Sequence, residues 1–488
     1  MNMQPLSLIR NILVISFILI STIQFIHGAE TVIQGKTPSY AGQKITFHTY
    51  SNMISFKEIE VFTCLVNDSG EFHCSFELDQ TRLIYTNLGI YNCFLYAEPG
   101  FIYEIRLPER RDKTEAEKMN PYFEHVSIHL VSKVSQTTGS GEVPDPNNEL
   151  NFLIRTFNDT FYPFYYKFVI NAAANIPDRK EIDLAIENIT APFFNVNHKF
   201  FLDYMDYRSG LLKHYGASHN RQKIIATYFA EEPVLYHNPA YMELFNEMFT
   251  DFFDLYVEEN PGSELYTYIN RENNIDKVIK ELKKEKSFTN DSLMELVLIK
   301  GLYDGFYQEG FSKSAMLILM DSLKSISENQ NHKSVITDIK LDITRLMSGF
   351  DPPSFELFDS DSNLVSLNDF KEHYIYLGFC NSSTYYCIKE FELLKDLNSR
   401  HNKYLKIVTI LVDDTYEKMT TLVQSNAYDW TFLHYSNDPE LLDNYDIRAY
   451  PAYFLIGRDG KLISSPAPSP TEGFEHHLFQ VMRSRGDI

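Results

Sequence analysis

The stretch "YIYLGFCNSSTYYCIKEFELL", residues 374–394, decides how the C-terminal part of this chain is read. An apolar run rich in aromatic and branched side chains leads into Cys380, a polar loop follows, and Cys387 opens a second pattern. Cys387, Phe391 and Leu394 recur at i, i+4 and i+7, which is one face of a helix. The spacing predicts a strand over 374–379, a loop, and a helix over 387–397 that turns Cys387 inward with its apolar face.

The same alternation continues on either side. "YLKIVTILVDD" reads as a buried strand, "EKMTTLVQSNA" as a helix, "AYFLIGRDGKLIS" as a hairpin turning at Asp459-Gly460, and "EGFEHHLFQVMRSR" as a closing helix. Strands interleaved with helices predict an α/β domain, which opens at Phe350-Asp351-Pro352-Pro353 and spans 350–488. These residues resemble the thioredoxin-like fold, specifically the TlpA/ResA group of extracytoplasmic thiol-disulfide oxidoreductases. The resemblance rests on "FELFDSDSNLVSLNDF" as entry hairpin and first helix, "YLGFC" as central strand, and "YDIRAYPAYFLIGRDGKL" as the cis-proline loop with its hairpin. It implies that Pro451 is the cis-proline, that Tyr450 precedes it in a substrate groove, and that the C-x-x-C pair falls on Thr384-Tyr385-Tyr386-Cys387.

One cysteine of that pair is therefore missing. Thioredoxin-type exchange needs a thiolate at a helix N-terminus, where free amides and the dipole lower its pKa, and a resolving thiol three residues on. Thr384 supplies no such thiolate; its hydroxyl can cap the helix, in competition with Ser382 and Ser383. Cys387 matches the buried resolving position. Cys380 stands at the strand end, and its reach to Cys387 depends on the loop "NSSTYY", because a disulfide needs Cα atoms about 4.4–6.8 Å apart.

Earlier parts of the chain read differently. Residues 30–135 alternate in "EIEVFTCLV", "EFHCSFEL", "TRLIYTNL", "YNCFLYA" and "IYEIRL", with turns at "NDSG" and "EPG", and are expected to form an antiparallel β-sandwich. Cys64 and Cys74 flank the first turn, so they are expected on neighbouring strands of one hairpin, either as a disulfide or as buried thiols. "SQTTGSGEVPDPNNEL" marks a linker. Helical periodicity fills 149–348, strongest in "NPAYMELFNEMFTDFFDLYVEENPG", over 293–306 and over 314–326; the first is expected as one helix from Pro239 to Asn260. The predicted architecture is thus multidomain: β-sandwich, central all-α region, thioredoxin-like domain.

Composition narrows the function classes. The 488 residues include 44% apolar and 14% aromatic side chains, enough for a core in each of two to four domains. Forty-four basic against 66 acidic residues give a net charge of −22, which opposes binding to nucleic-acid phosphates. Residues 1–29 carry Arg10 and then an apolar run, the pattern of a secretory signal peptide; no later segment is apolar enough to span a bilayer, so a periplasmic or envelope location is expected. Five cysteines, an odd number, leave at least one without an intrachain partner.

No metal or cofactor site is expected. Asp359, Asp361 and Asn363 occupy calcium-loop positions, but Leu364 and Phe370 replace the turn glycine and the final glutamate. His476 and His477 are adjacent and so lie on different helix faces. Three readings stay open. Cys380 and Cys387 act as a C-x6-C catalytic pair on protein or peptide thiol and disulfide clients. Alternatively, the domain binds clients without exchange through Tyr450, Pro451 and Thr384. In the third, it is a structural envelope module.

Overall fold

The computed structural model describes residues 28–488 apart from 115–116, 118–119, 121–122, 138–147, 171–177, 216–220, 286–287, 289, 414 and 437. The expected leader, except for its last two residues, and most of the expected linker lie outside the described residues. Backbone contacts divide the chain into two compact units, one of residues 1–114 with 124–338 and one of 115–123 with 339–488.

The first unit contains two sheets. One runs β4 (Glu71–Leu78), β1 (Ala29–Lys36), β7 (Phe101–Ile105), β9 (Ser132–Gln136); the other runs β3 (Glu58–Leu65), β2 (Lys44–Tyr50), β5 (Arg82–Leu88), β6 (Tyr91–Ala97), β8 (Val126–His129). Their inner faces share a core that includes Ile33, Phe47, Ile84, Leu95 and Tyr103. The expected antiparallel sandwich needs correcting, because β1 pairs with β7 and β6 with β8 in parallel. Alternation reports that a strand is buried on one face; it carries no information on direction. β3 and β4 also belong to different sheets, so the disulfide between Cys64 and Cys74 joins the two sheets rather than the arms of one hairpin.

Helices follow in the same unit. The expected helix from Pro239 is in fact two, Pro239–Phe249 and Phe252–Glu259, broken where Asp251 adopts a left-handed φ of 52°. Asp251 tolerates that conformation, and the break is pinned by its N–H donating to Asp304 and by Gln308 donating to its carboxylate. The apolar stripe runs on across the break through Phe249, Phe252 and Tyr256, all buried, so periodicity hides it. Asn151, on helix Leu150–Tyr165, accepts from Tyr96 N–H at 2.7 Å and donates to its carbonyl at 2.9 Å. Its amide stands in for a neighbouring strand at the end of β6 that β8 leaves uncovered.

The second unit is built on a sheet of order β14 (Thr431–His434), β13 (Leu405–Leu411), β12 (Tyr374–Cys380), β15 (Ala452–Ile456), β16 (Leu462–Ser464). β12, β13 and β14 are parallel, while β15 and β16 run against their neighbours. The entry hairpin, β10 (Glu356–Phe358) and β11 (Leu364–Ser366), turns through Asp359, whose carboxylate accepts from the N–H groups of Asp361 and Asn363. Helices Tyr385–His401 and Phe474–Arg485 cover one face of the sheet. Leu441 and Tyr445, from and just after helix Pro439–Asn444, pack on the other. Among the described residues no helix is long and apolar enough to cross a membrane.

Gly378, at the middle of β12, faces Tyr453 on β15. A Cβ there would lie 2.8 Å from the Tyr453 ring, and that ring is held by stacking on Tyr376 at 4.9 Å. Gly378→Ala is expected to cost about 1–3 kcal/mol, read as a lowered urea midpoint of the fluorescence of Trp430, the sole tryptophan and a core residue of this unit. An unchanged midpoint would show that the Tyr453 ring is free to move.

Candidate functional site

The site grows from the end of β12. All seven residues of that strand are buried, with ladder partners on β13 and β15, so the chain emerges only after Cys380. The Cys380 carbonyl accepts from Val412 N–H at 2.8 Å, carrying the ladder one step beyond β13. The loop then turns tightly. Asn381 donates to the Val412 carbonyl at 2.6 Å and accepts from Ser383 N–H, and the Asn381 carbonyl accepts from Thr384 N–H at 3.0 Å. Ser382 gives both its N–H and its hydroxyl to one carboxylate oxygen of buried Asp413, at 3.0 and 2.9 Å. The other oxygen of Asp413 is buried with no hydrogen-bond partner among the described residues.

Helix Tyr385–His401 starts immediately after this loop. Thr384 occupies its N-cap position, but its side chain accepts no capping hydrogen bond; Ser382, committed to Asp413, does not cap it either. Tyr385 and Tyr386 are exposed at 73% and 66%, large values for aromatic side chains at a helix start. Cys387, Phe391 and Leu394 are fully buried, as their spacing requires.

Cys380 and Cys387 meet beneath the two tyrosines. Both have 0% exposure and neither is in a disulfide. The two thiols lie in one buried cluster and act on each other's protons, which are held unequally. Cys380 lowers the Cys387 pKa, helped by the Asn381 backbone and opposed by burial. Burial, with the negative charge that Cys387 would carry, drives the Cys380 pKa well above the ordinary thiol value. Ionisation is accordingly favoured at Cys387 over Cys380.

Three further residues shape this pocket. The Tyr453 hydroxyl is buried without a partner in hydrogen-bond geometry, and the group it acts on is the Cys380 sulfur, whose ionised form it favours. Glu390, one turn along the helix and 5% exposed, opposes ionisation of both thiols through its charge while accepting from Thr471 N–H and hydroxyl at 3.2 and 2.5 Å. Asp413 likewise opposes ionisation of Cys387. Glu390 is the polar position beside Phe391 on an otherwise apolar helix face, and that mismatch is the signal by which the sequence could have exposed it.

The cis-proline loop closes the site. The Tyr450–Pro451 bond is cis, as is Ser465–Pro466. Tyr450 is half-buried, and burial together with the nearby thiols pushes its hydroxyl up to about 12. Of the residues singled out from sequence, Cys380, Cys387 and Tyr450 share one electrostatic environment. The Thr384 side chain makes no polar contact among the described residues.

Comparison with known proteins finds similarity over the C-terminal region. Residues 349–465 match the AhpC/TSA family. The thiol-disulfide oxidoreductase ResA of Bacillus subtilis is 25% identical over 140 residues, 28% of this chain and 77% of that protein. ResA of Bacillus thuringiensis is 26% identical over 136 residues, 27% of this chain and 78% of that protein. Among solved structures, the thioredoxin domain of a thiol-disulfide oxidoreductase from Bacteroides vulgatus is 25% identical and covers 28% of this chain and 97% of its own, with a TM-score of 0.26. A thiol-disulfide oxidoreductase from Bacteroides fragilis is 21% identical, covers 26% and 97%, and has a TM-score of 0.25.

The unequal protons of the cysteine pair give a direct test. Cys380→Ala removes the thiol that lowers the Cys387 pKa, so that pKa is expected to rise, and the pH midpoint of Cys387 alkylation by iodoacetamide, followed by mass spectrometry, should move upward. A midpoint that stays put or falls would mean that Cys380 does not set the Cys387 proton.

Proposed function

We propose that this chain, whose C-terminal region carries an AhpC/TSA thioredoxin-like domain, is an extracytoplasmic thiol-disulfide protein in which Cys380 and Cys387 replace the usual C-x-x-C pair. The observation that carries this reading is the burial of two free thiols, Cys380 and Cys387, in one core cluster at the strand-to-helix turn, where each shifts the other's proton. The expected signal peptide supports the location. Clients would be protein or peptide disulfides.

The chemistry balances without a cofactor. The Cys387 thiolate attacks one sulfur of a client disulfide, forming a mixed disulfide and releasing the first client thiolate, which takes up a proton. Cys380 then loses its proton and attacks the Cys387 sulfur, forming the Cys380–Cys387 disulfide and releasing the second client thiolate. The client disulfide gains two electrons and the cysteine pair loses them. Glu390 opposes both ionisations by its charge, and Asp413 opposes that of Cys387. Both sulfurs are enclosed, so a client reaches them only when the turn carrying Tyr385 and Tyr386 moves aside. Exchange is accordingly slow compared with an enzyme that presents an exposed thiolate.

A second reading is favoured by the exposure of Tyr385 and Tyr386. They stand where the thioredoxin-type nucleophile would meet its client, and with Tyr450 and Pro451 they offer an aromatic platform for an extended peptide, needing no exchange.

Insulin reduction with dithiothreitol as electron source separates the two. The first reading expects slow turnover by the wild type and none by the Cys380→Ser, Cys387→Ser double variant. It also expects that Thr384→Cys, which places a thiol at the helix N-terminus beside Cys387, raises turnover at least about tenfold. Full wild-type turnover in the double variant would sink the redox reading. No wild-type turnover, with peptide binding that is lost in Tyr385→Ser, Tyr386→Ser, would favour the second.

A further inference from the structure

The first unit holds a cavity of about 200 Å³ that the thiol chemistry does not use, lined by the polar Arg82, Tyr236 and His237 together with the apolar Met53, Met242 and Leu296. Liquid water occupies about 30 Å³ per molecule, so the space suits a small organic molecule and excludes a folded partner. A larger cavity of about 580 Å³ shares Tyr236 and His237 as its wall.

Arg82 is the anchor. Its side chain is 21% exposed, and its guanidinium carries five N–H donors. Among the described residues it makes one hydrogen bond, from Nη2 to Asp79 at 3.2 Å. Asp79 is half-exposed and lines the same cavity, where it occupies one side of the fork. A guanidinium largely out of water with donors to spare is matched by a planar, bidentate anion, above all a carboxylate. His237 lies beside it with no hydrogen-bond partner among the described residues. Burial and the charge of Arg82 hold its pKa down to about 4, so it is neutral and adds a hydrogen bond without adding charge.

A polar chain fixes that wall. The Tyr236 hydroxyl accepts from Asn329 at 2.9 Å and lies 2.8 Å from Nε2 of His332, which is fully buried. His332 Nδ1 lies 2.9 Å from the Glu295 carboxylate. With Asn329 donating to it, the Tyr236 hydroxyl is placed to donate to Nε2 of His332, whose Nδ1 faces the Glu295 carboxylate out of hydrogen-bond geometry. Burial raises the Glu295 pKa, but His332 and Ser327 more than offset this and keep it below its ordinary value, so it stays ionised. The Tyr236 hydroxyl is thus engaged with Asn329 and His332, leaving Arg82 and His237 to meet a ligand.

We propose that this cavity binds a small aliphatic carboxylate, with the carboxylate on Arg82 and His237 and the hydrocarbon on Met53, Met242 and Leu296. The proposal is independent of any redox role for the second unit. The carboxylate source is either a free short-chain acid or the C-terminal leucine-like residue of a peptide extending into the larger cavity.

The test is titration calorimetry on the full mature chain with 4-methylpentanoate and N-acetyl-leucine as probes and 4-methylpentanamide as control. Saturable binding of at least one acid is expected, with the amide at least tenfold weaker and Arg82→Gln at least tenfold weaker for the acid. Tighter binding of N-acetyl-leucine assigns the site to chain ends, and tighter binding of 4-methylpentanoate assigns it to free acids; both uphold the carboxylate site. No binding of either acid, equal binding of acid and amide, or wild-type affinity in a folded Arg82→Gln protein would overturn it. Should that variant fail to fold, the acid-to-amide comparison on the wild type decides alone.

Discussion

The second unit depends on one constraint, that β12 is hydrogen-bonded on both edges and buried on both faces. A strand so enclosed has no slack, because a slip of one residue would exchange every side chain between two full cores. Phe379 and Cys380 therefore have fixed places: Phe379 packs against Tyr445 and Phe454 on one face, and Cys380 is delivered to the opposite face beside the helix that follows. The loop of residues 381–384, held by Asn381, Ser382 and Asp413, is just long enough to return the chain so that Cys387 faces Cys380. The thiol contact follows from the register of the strand together with the helical period of Cys387, Phe391 and Leu394.

That enclosure sets the chemistry. In the arrangement that thioredoxin-type exchange requires, the attacking thiolate stands at the helix N-terminus in water and the resolving thiol lies behind it. Here the position at the N-terminus is Thr384, flanked by two exposed tyrosines, and both thiols lie behind it. The helix start no longer offers a nucleophile, and the pair relies on the influence of one thiol on the other to favour one thiolate, against burial and against the charges of Glu390 and Asp413. Disulfide formation between two thiols already in contact needs little rearrangement; delivery of a client to them needs more. Under the proposed redox reading, internal oxidation and reduction of the pair is favoured over rapid exchange.

Much of the second unit was legible in the sequence because its strands are continuous apolar runs and its helices carry a clear 3.6-residue period. The hairpin at Asp459-Gly460 followed from local turn chemistry, and the entry hairpin at Asp359 from the family resemblance. β14 escaped because four residues, Thr431–His434, are too short to show a period. In the first unit, β1, β2, β8 and β9 were missed and strand directions misread, since pairing partners far apart in sequence leave no local signature. Cys64 and Cys74 looked like hairpin partners because ten residues apart suggests neighbours, whereas the chain crosses from one sheet to the other at that turn. The roles of Glu390 and Asp413 were invisible for a different reason: a buried carboxylate is recognised by what surrounds it, and that needs coordinates.

The most direct test of the account is non-reducing peptide mapping of the mature protein, equilibrated in thiol buffers of graded potential and quenched with an alkylating agent, with the Cys64–Cys74 peptide as internal marker of oxidation. The account expects a Cys380–Cys387 cross-linked peptide in oxidising buffer, converted in one step to two alkylated thiols as the potential falls. Separately alkylated Cys380 and Cys387 under conditions where Cys64–Cys74 is intact would show that the thiol contact never becomes a bond, and would contradict it.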